Sequence, residues 1–381
     1  MGDLAFSLII PTYNERENLE ELISSSTNIL NKLKIKYEII IADDNSPDQT
    51  WKVASELSKD FPSIRVIRRF RNRGLTPSVL EGMESAVGNI LGVMDADLQH
   101  DISVLPQMLE ECSSHDLVIG SRYTDSNTKN SLSFLRKILS KSGTFFARVL
   151  LGLKISDPLS GYFLVKRDVF KELSSDINAK GFKILLQIVG RNSNLKIKEI
   201  PYSFSERKKG STKLNEEVAI DFLSELFSLR FKKKVSSRFV RYSITGLSGV
   251  FINLFGQSIS HIILGVEPIS YTSNEFSLPG ISVAIGFSLS VINNFYWNNR
   301  WTFRDKKLSG IYANVWGLIN YFIITCVGFL IQFSVWRFLI GVFLNSFGYS
   351  DKFTYLANLV GVLTATTWNY YVSKNFMWKI E

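Results

Sequence analysis

Only two of the 381 residues are cysteines, Cys112 and Cys326, and they share no metal-type spacing, so neither a disulfide framework nor a cysteine metal site organises the chain. No Gly-x-Gly-x-x-Gly follows a strand-like run, no P-loop is present, and neither His-Glu-x-x-His nor Gly-x-Ser-x-Gly occurs. Those absences remove support for hydride transfer, nucleoside triphosphate hydrolysis, and serine or zinc hydrolysis. A basic leader is missing too: the apolar run Leu4 to Ile10 is cut by Pro11 and reads as a buried strand rather than a signal peptide. Basic residues outnumber acidic ones and give a net charge of +9, yet they are spread along the chain. The cluster Lys232 to Lys234 lies at the foot of the first long hydrophobic segment, where anionic lipid headgroups explain it better than nucleic acid. No nucleic-acid partner is expected.

The second half is short of charge. Between consecutive charged residues lie 25 positions from Arg241 to Glu267, 24 from Glu275 to Arg300, 29 from Lys307 to Arg337 and 21 from Lys352 to Lys374. Each exceeds the roughly 20 residues that cross the hydrocarbon core as helix, which predicts an all-α transmembrane domain of four helices in the lipid bilayer. Arg337 either snorkels to the outer surface or marks the end of the third helix, with Phe338 to Phe347 lying at the interface. Lys232 to Lys234, Arg238 and Arg241 precede the first span, Arg300, Arg304, Lys306 and Lys307 separate the second and third, and Lys374 and Lys379 follow the fourth. By the positive-inside rule the soluble domain and both termini are cytoplasmic. Trp297, Trp301, Trp368 and Trp378 fall near the expected interfaces. Just before the first span, Ile220, Leu223, Phe227 and Phe231 form an amphipathic stripe, which either packs on the soluble core or lies on the membrane surface.

In the first half, short β-rich runs occur at Phe6 to Ile10, Tyr37 to Ala42, Ile64 to Ile67, Ile90 to Met94 and Leu117 to Ile119, with helix-length amphipathic stretches between the early ones. That alternation predicts an open, mostly parallel α/β sheet, whose ligands bind outside the carboxyl ends of the strands. Polar clusters stand at those ends: Pro11 to Glu15, Asp43-Asp44, Asp95-Ala96-Asp97-Leu98-Gln99 and Gly120-Ser121-Arg122. Two carboxylates one residue apart at the end of a hydrophobic strand concentrate negative charge. Mg2+ or Mn2+ shared with substrate phosphate oxygens relieves it. The bland alternative is a solvated turn in which an aspartate caps the next helix. Arg207, Lys208, Lys209 and Lys213 form a cationic loop that is either an ordinary solvated turn or a lid closing on phosphates.

Together with Asp157-Pro158-Leu159-Ser160-Gly161-Tyr162 and Gly181-Phe182-Lys183, these ordered motifs resemble dolichol-phosphate mannose synthases, members of glycosyltransferase family 2 with a GT-A (Rossmann-like) fold. The tail resembles the GtrA-like membrane domain fused to archaeal and some bacterial members. The resemblance implies a GT-A domain over 1–215, an amphipathic interfacial helix or linker over 216–236, and a GtrA-like transmembrane domain over 237–381. It implies transfer of mannose from GDP-mannose, the nucleotide-sugar donor, to dolichyl or polyprenyl phosphate, by metal-dependent displacement with inversion. Pro11, Tyr13, Glu15, Ala42 and Asp44 would hold the nucleoside, Asp97 and Gln99 the metal, and Asp95 and Ala96 the ribose, sugar or metal. Arg122, Lys183, Arg207 and Lys213 would meet phosphates, with Arg136 at the acceptor's. By the same resemblance Asp95, Asp97 and Arg122 would carry the catalytic role. The same chemistry with glucose from its uridine nucleotide onto polyprenyl phosphate is the nearest rival. A flippase or scaffold whose soluble half only binds nucleotide is the rival of another class.

Overall fold

The computed structural model describes residues 5–123, 134–177, 183–192, 194–205, 216–264, 281–347 and 351–380. The chain divides into two compact units, Met1–Lys234 and Val235–Glu381.

Seven strands form one sheet in the first unit: β1 (Phe6–Thr12), β2 (Tyr37–Asp43), β3 (Ile64–Arg68), β4 (Ile90–Met94), β5 (Leu117–Ser121), β6 (Tyr162–Lys166) and β7 (Ile197–Pro201). Their order is β3-β2-β1-β4-β6-β5-β7. All pairs are parallel except those of β6, which runs antiparallel to both β4 and β5. The expected mostly parallel sheet is present, and the five expected strands with it. β1 is buried at every position, as a strand covered on both faces must be. Its Pro11 lies beyond the last β1–β4 pair, Ile9 with Val93, where a residue without an N–H is tolerated.

The helices of this unit are α1 (Arg16–Lys32), α2 (Thr50–Asp60), α3 (Leu75–Ser85), α4 (Leu105–Glu111), α5 (Phe134–Leu151), α6 (Arg167–Ser174), α7 (Ile184–Arg191) and α8 (Glu216–Phe231). They cover both faces of the sheet. One core gathers Leu8, Ile10, Leu19, Ile23, Ile39 and Ile41, and a second, on the other side, gathers Ile9, Ile40, Val79, Met83, Val93 and Leu185. That neighbours in β1 and β2 enter opposite cores follows from the two-residue period of a strand. In α8 the buried positions include Ile220, Leu226 and Leu229, and the last two pack with Ala147, Leu159 and Leu186. Of the stripe that the sequence displays, Ile220 is buried, Leu223 and Phe227 are half-buried and Phe231 is exposed, so it packs at its start and turns outward at its end.

In the second unit the described helices are α9 (Ser237–Leu264), α10 (Ile281–Trp297), α11 (Ile311–Phe347) and α12 (Asp351–Val372). One apolar window, Ile311–Val342, is long and apolar enough to cross a membrane. Helix α11 continues past Arg337, which is exposed, so the reading in which the third helix ends there is not realised. Small residues let the helices approach closely: a Cβ on Gly256 would lie 3.0 Å from Gly286 Cα, and one on Gly286 would lie 2.5 Å from the Asn253 carbonyl oxygen. At one end of the unit Tyr242, Phe295, Phe303, Tyr321 and Trp378 cluster, with Trp378 stacked on Phe303 at 4.2 Å. Trp378, expected at a lipid interface, is buried in that cluster and donates its indole N–H to Asn299 Oδ1 at 3.1 Å.

Candidate active site

The sheet order reverses direction between β1 and β4, and in such sheets the crevice at the carboxyl ends of those strands receives ligands. On the β1–β2 side, Pro11 pairs in register with Ala42 and Thr12 with Asp43. Asp43, fully buried, accepts from Thr12 Oγ1 at 2.9 Å, Ser46 Oγ at 2.6 Å and the Ser46 N–H at 2.8 Å. Asp44 accepts the Gly74 N–H at 2.6 Å and pairs with the buried Arg69, which also reaches Glu81 Oε2 at 2.7 Å. Burial raises the Asp44 pKa, although the Gly74 N–H and the Arg69 guanidinium act in the opposite direction. The following turn is tied back to β1: Ser46 Oγ accepts the Asn14 N–H at 3.0 Å, and Thr50 Oγ1 accepts the Glu15 N–H at 3.1 Å. Tyr13 stands beside these ties, 40% exposed.

After β4 the chain turns through Asp95-Ala96-Asp97, with Ala96 buried and Leu98 in the left-handed region at φ 59°. Asp97 Oδ1 accepts the Gln99 N–H at 3.2 Å. Gln99 donates its side-chain N–H to the Ser205 carbonyl at 2.9 Å, and its Oε1 remains an acceptor. Asp95 is packed against backbone: a Cβ on Gly161 would stand 2.1 Å from Asp95 Oδ2, so only glycine lets the carboxylate sit there. Burial pushes the Asp95 pKa up, but Lys183, His100 and Arg122 pull it back below the ordinary carboxylate value. Lys183 precedes α7 with φ 35°, a backbone conformation that a side chain rarely adopts. His100 holds Nε2 3.7 Å from Asp95 Oδ2 and Nδ1 2.7 Å from Tyr202 Oη, between the rings of Tyr162, Tyr202 and Phe204.

Arg122 leaves β5 and meets Asp157, buried at 0% exposure, through Nε at 2.7 Å and Nη2 at 2.8 Å. Burial alone would lower the Arg122 pKa, and the Asp157 carboxylate raises it instead, so the guanidinium stays charged. Glu199 of β7 accepts the N–H groups of Ser156 and Asp157, at 2.9 Å and 3.1 Å, and fastens the turn before β6. Ser160 Oγ donates to the Gly120 carbonyl at 2.7 Å and closes the same turn against β5.

The fold therefore brings Pro11, Tyr13, Glu15, Ala42 and Asp44 to one side of the crevice and Asp95, Ala96, Asp97, Gln99, Arg122 and Lys183 to the other. Arg136 belongs to α5, but its side chain lies outside the described residues, as do Arg207 and Lys213 entirely. Among the described residues no group of three or more His, Cys, Asp or Glu gathers as a metal site. Three supporting residues escape a reading by motif. Gly161 lay within a quoted motif but gave no sign of backing Asp95. Glu199 and Tyr202 sit in and beside β7, with no motif to flag them. His100, beside the acidic turn, is wedged between Asp95 and Tyr202.

Residues 7–174 match the glycosyl transferase family 2 family, and residues 241–378 match the GtrA/DPMS transmembrane domain. A dolichol-phosphate mannosyltransferase of Pyrococcus furiosus is 35% identical over 98% of this chain and 99% of its own. One from Saccharomyces cerevisiae is 32% identical over 59% of this chain and 87% of its own. A solved mannosyltransferase from Pyrobaculum calidifontis, in complex with GDP-Man and Mn2+, is 15% identical with a TM-score of 0.43, over 61% of this chain and 66% of that one.

Proposed function

The chain belongs to the dolichol-phosphate mannosyltransferase family, a glycosyltransferase with a transmembrane domain, and on that premise we propose that it moves mannose from GDP-mannose to dolichyl or polyprenyl phosphate. The end-to-end match to the Pyrococcus furiosus relative carries this reading, since it spans the soluble and the membrane unit alike.

Asp97 and Asp95, with Gln99 Oε1, suit Mg2+ or Mn2+. Two carboxylates and an amide oxygen are hard oxygen donors, and diphosphate oxygens would complete the set. When bound, the ion supplies charge neutralisation to the departing diphosphate. The protein's own part is electrostatic: Lys183 and Arg122 add fixed positive charge beside Asp95 where the leaving group's charge develops. Pro11, Tyr13, Glu15, Ala42 and Asp44 hold the nucleoside, and Arg122 and Arg136 meet the acceptor phosphate. Arg207 and Lys213 close over the phosphates and exclude water. The acceptor phosphate is anionic near neutral pH, its second pKa being about 6, so no strong general base is needed. Its oxygen attacks the anomeric carbon in line, the bond from that carbon to the diphosphate breaks, and GDP departs with the electron pair, inverting the configuration. The catalytic unit and both termini face the cytoplasm, and the four helices of the second unit cross the bilayer.

The test incubates purified protein with Mg2+ or Mn2+, polyprenyl phosphate and a panel of labelled nucleotide-sugars. Label from GDP-mannose entering the lipid phase, and blocked by EDTA, is the expected result. Transfer from UDP-glucose alone, or transfer that EDTA leaves untouched, overturns it.

A further inference from the structure

A cavity of about 420 Å3 in the transmembrane unit, lined by none of the site residues named above, opens between the end of α10 and the start of α11. Its lining includes Phe295, Tyr296, Arg300, Lys307, Leu308 and Asn314. The Arg300 guanidinium donates to Tyr296 Oη at 2.7 Å and lies 4.4 Å from that ring's centre, so its charge is not neutralised there. Among the described residues no carboxylate pairs with Arg300 or Lys307, and the neighbouring Asp305 is held by Arg238 at 2.8 Å.

The start of α11 adds positive potential of its own. The first N–H groups of this 37-residue helix lack intrahelical partners, and they point out at the positive end of its dipole. Buried Asn299 clamps the turn that carries it: Oδ1 accepts the Leu308 N–H at 2.8 Å, and Nδ2 donates to the Leu308 carbonyl at 3.1 Å and to Asn314 Oδ1 at 3.0 Å. The site is thus held rigid before any ligand arrives.

Depth decides the ligand. The apolar window of α11 begins at Ile311, so the cavity lies where hydrocarbon gives way to headgroups. Tyr296, Trp297, Tyr312 and Trp316 are exposed on these helix ends, as interfacial aromatic residues are. Phe295 and Leu308 give the cavity an apolar wall that a free anion would not need.

We propose that this cavity binds the phosphate headgroup of an anionic lipid, with Arg300, Lys307 and the first amides of α11 on the phosphate and the apolar wall against the start of its chain. Native mass spectrometry of the full chain in mild detergent tests it with three probes: phosphatidylglycerol, phosphatidylcholine and inorganic phosphate. Wild-type protein should retain phosphatidylglycerol, should release phosphatidylcholine, and should not exchange the bound lipid for inorganic phosphate. Arg300→Gln with Lys307→Gln should lower retention about thirtyfold, two interfacial cations being removed. Ser309→Glu, which places a negative charge on the exposed rim, should lower it without touching either cation and covers the case in which the double variant fails to fold. Lys379→Gln should change nothing. Retention unchanged in Ser309→Glu or in the folded double variant, equal retention of phosphatidylcholine, or displacement by inorganic phosphate overturns the proposal.

Discussion

The two units keep polar groups buried by different means. In the catalytic unit, charge is cancelled by charge: Asp157 is satisfied by Arg122 and Asp44 by Arg69, while Lys183 balances Asp95. In the transmembrane unit neutral amides and phenols serve instead, as where Asn298 donates to Tyr321 Oη at 3.0 Å and Asn299 bridges the 308–314 turn to Trp378. A site that must stabilise a charged leaving group gains from fixed ions in a low dielectric. Helices that must stay together in lipid have no hydrophobic drive to do so, and depend on close packing and hydrogen bonds.

Breaking one buried ion pair should show the contrast most sharply. Asp157→Asn leaves the Arg122 guanidinium buried without its counter-charge, and should cost about 3–5 kcal/mol of catalytic-unit stability by chemical denaturation. Unchanged stability would show that the pair is dispensable. Next comes Gly161→Ala, whose methyl group displaces the Asp95 carboxylate and should slow sugar transfer by about a hundredfold in steady-state assays. A rate near wild type would mean that Asp95 need not sit where it does.

The neutral packing of the membrane unit is probed by Gly286→Ala, which meets the Asn253 backbone and should destabilise the unit by about 1–3 kcal/mol in detergent melting. Specific activity of the folded fraction should be unchanged. The smallest effect belongs to Asp116, whose pKa is lowered chiefly by the Lys196 N–H; burial pushes the other way, and Lys166 adds to the lowering. A lowered carboxylate stabilises the fold above the unfolded value of about 3.9 and loses that contribution as pH falls through the folded value. The stability gap between wild type and Asp116→Asn should therefore be full at neutral pH and close in acid; a gap independent of pH contradicts this.

Much of the fold was legible. Strands β1, β2, β4 and β5 announced themselves as short, mostly apolar runs, as strands buried on both faces do, and the edge strand β3 as β-branched residues around the exposed Arg65. The acidic turn at Asp95 to Asp97 stood out because charge rarely follows such a run without a use. Strands β6 and β7 did not announce themselves. Tyr162 read as the end of a motif, and nothing in it or in Phe163 to Lys166 signals an inverted strand between β4 and β5. In the membrane unit, charge-free length marked the hydrophobic segments, but it gave no sign that Trp378 turns inward to stack on Phe303.

What the amino-acid order determined by itself was local: the apolar partition between the units, the strands of the parallel half, and the polar clusters at their ends. The tertiary structure alone decided which partners meet. It inverts β6 so that Gly161 backs Asp95, seats Arg122 on Asp157, and closes the turn with Glu199 from β7. Periodicity reports the environment of one segment, whereas these contacts join segments far apart in sequence, and only the pairing of the sheet fixes which of them come together.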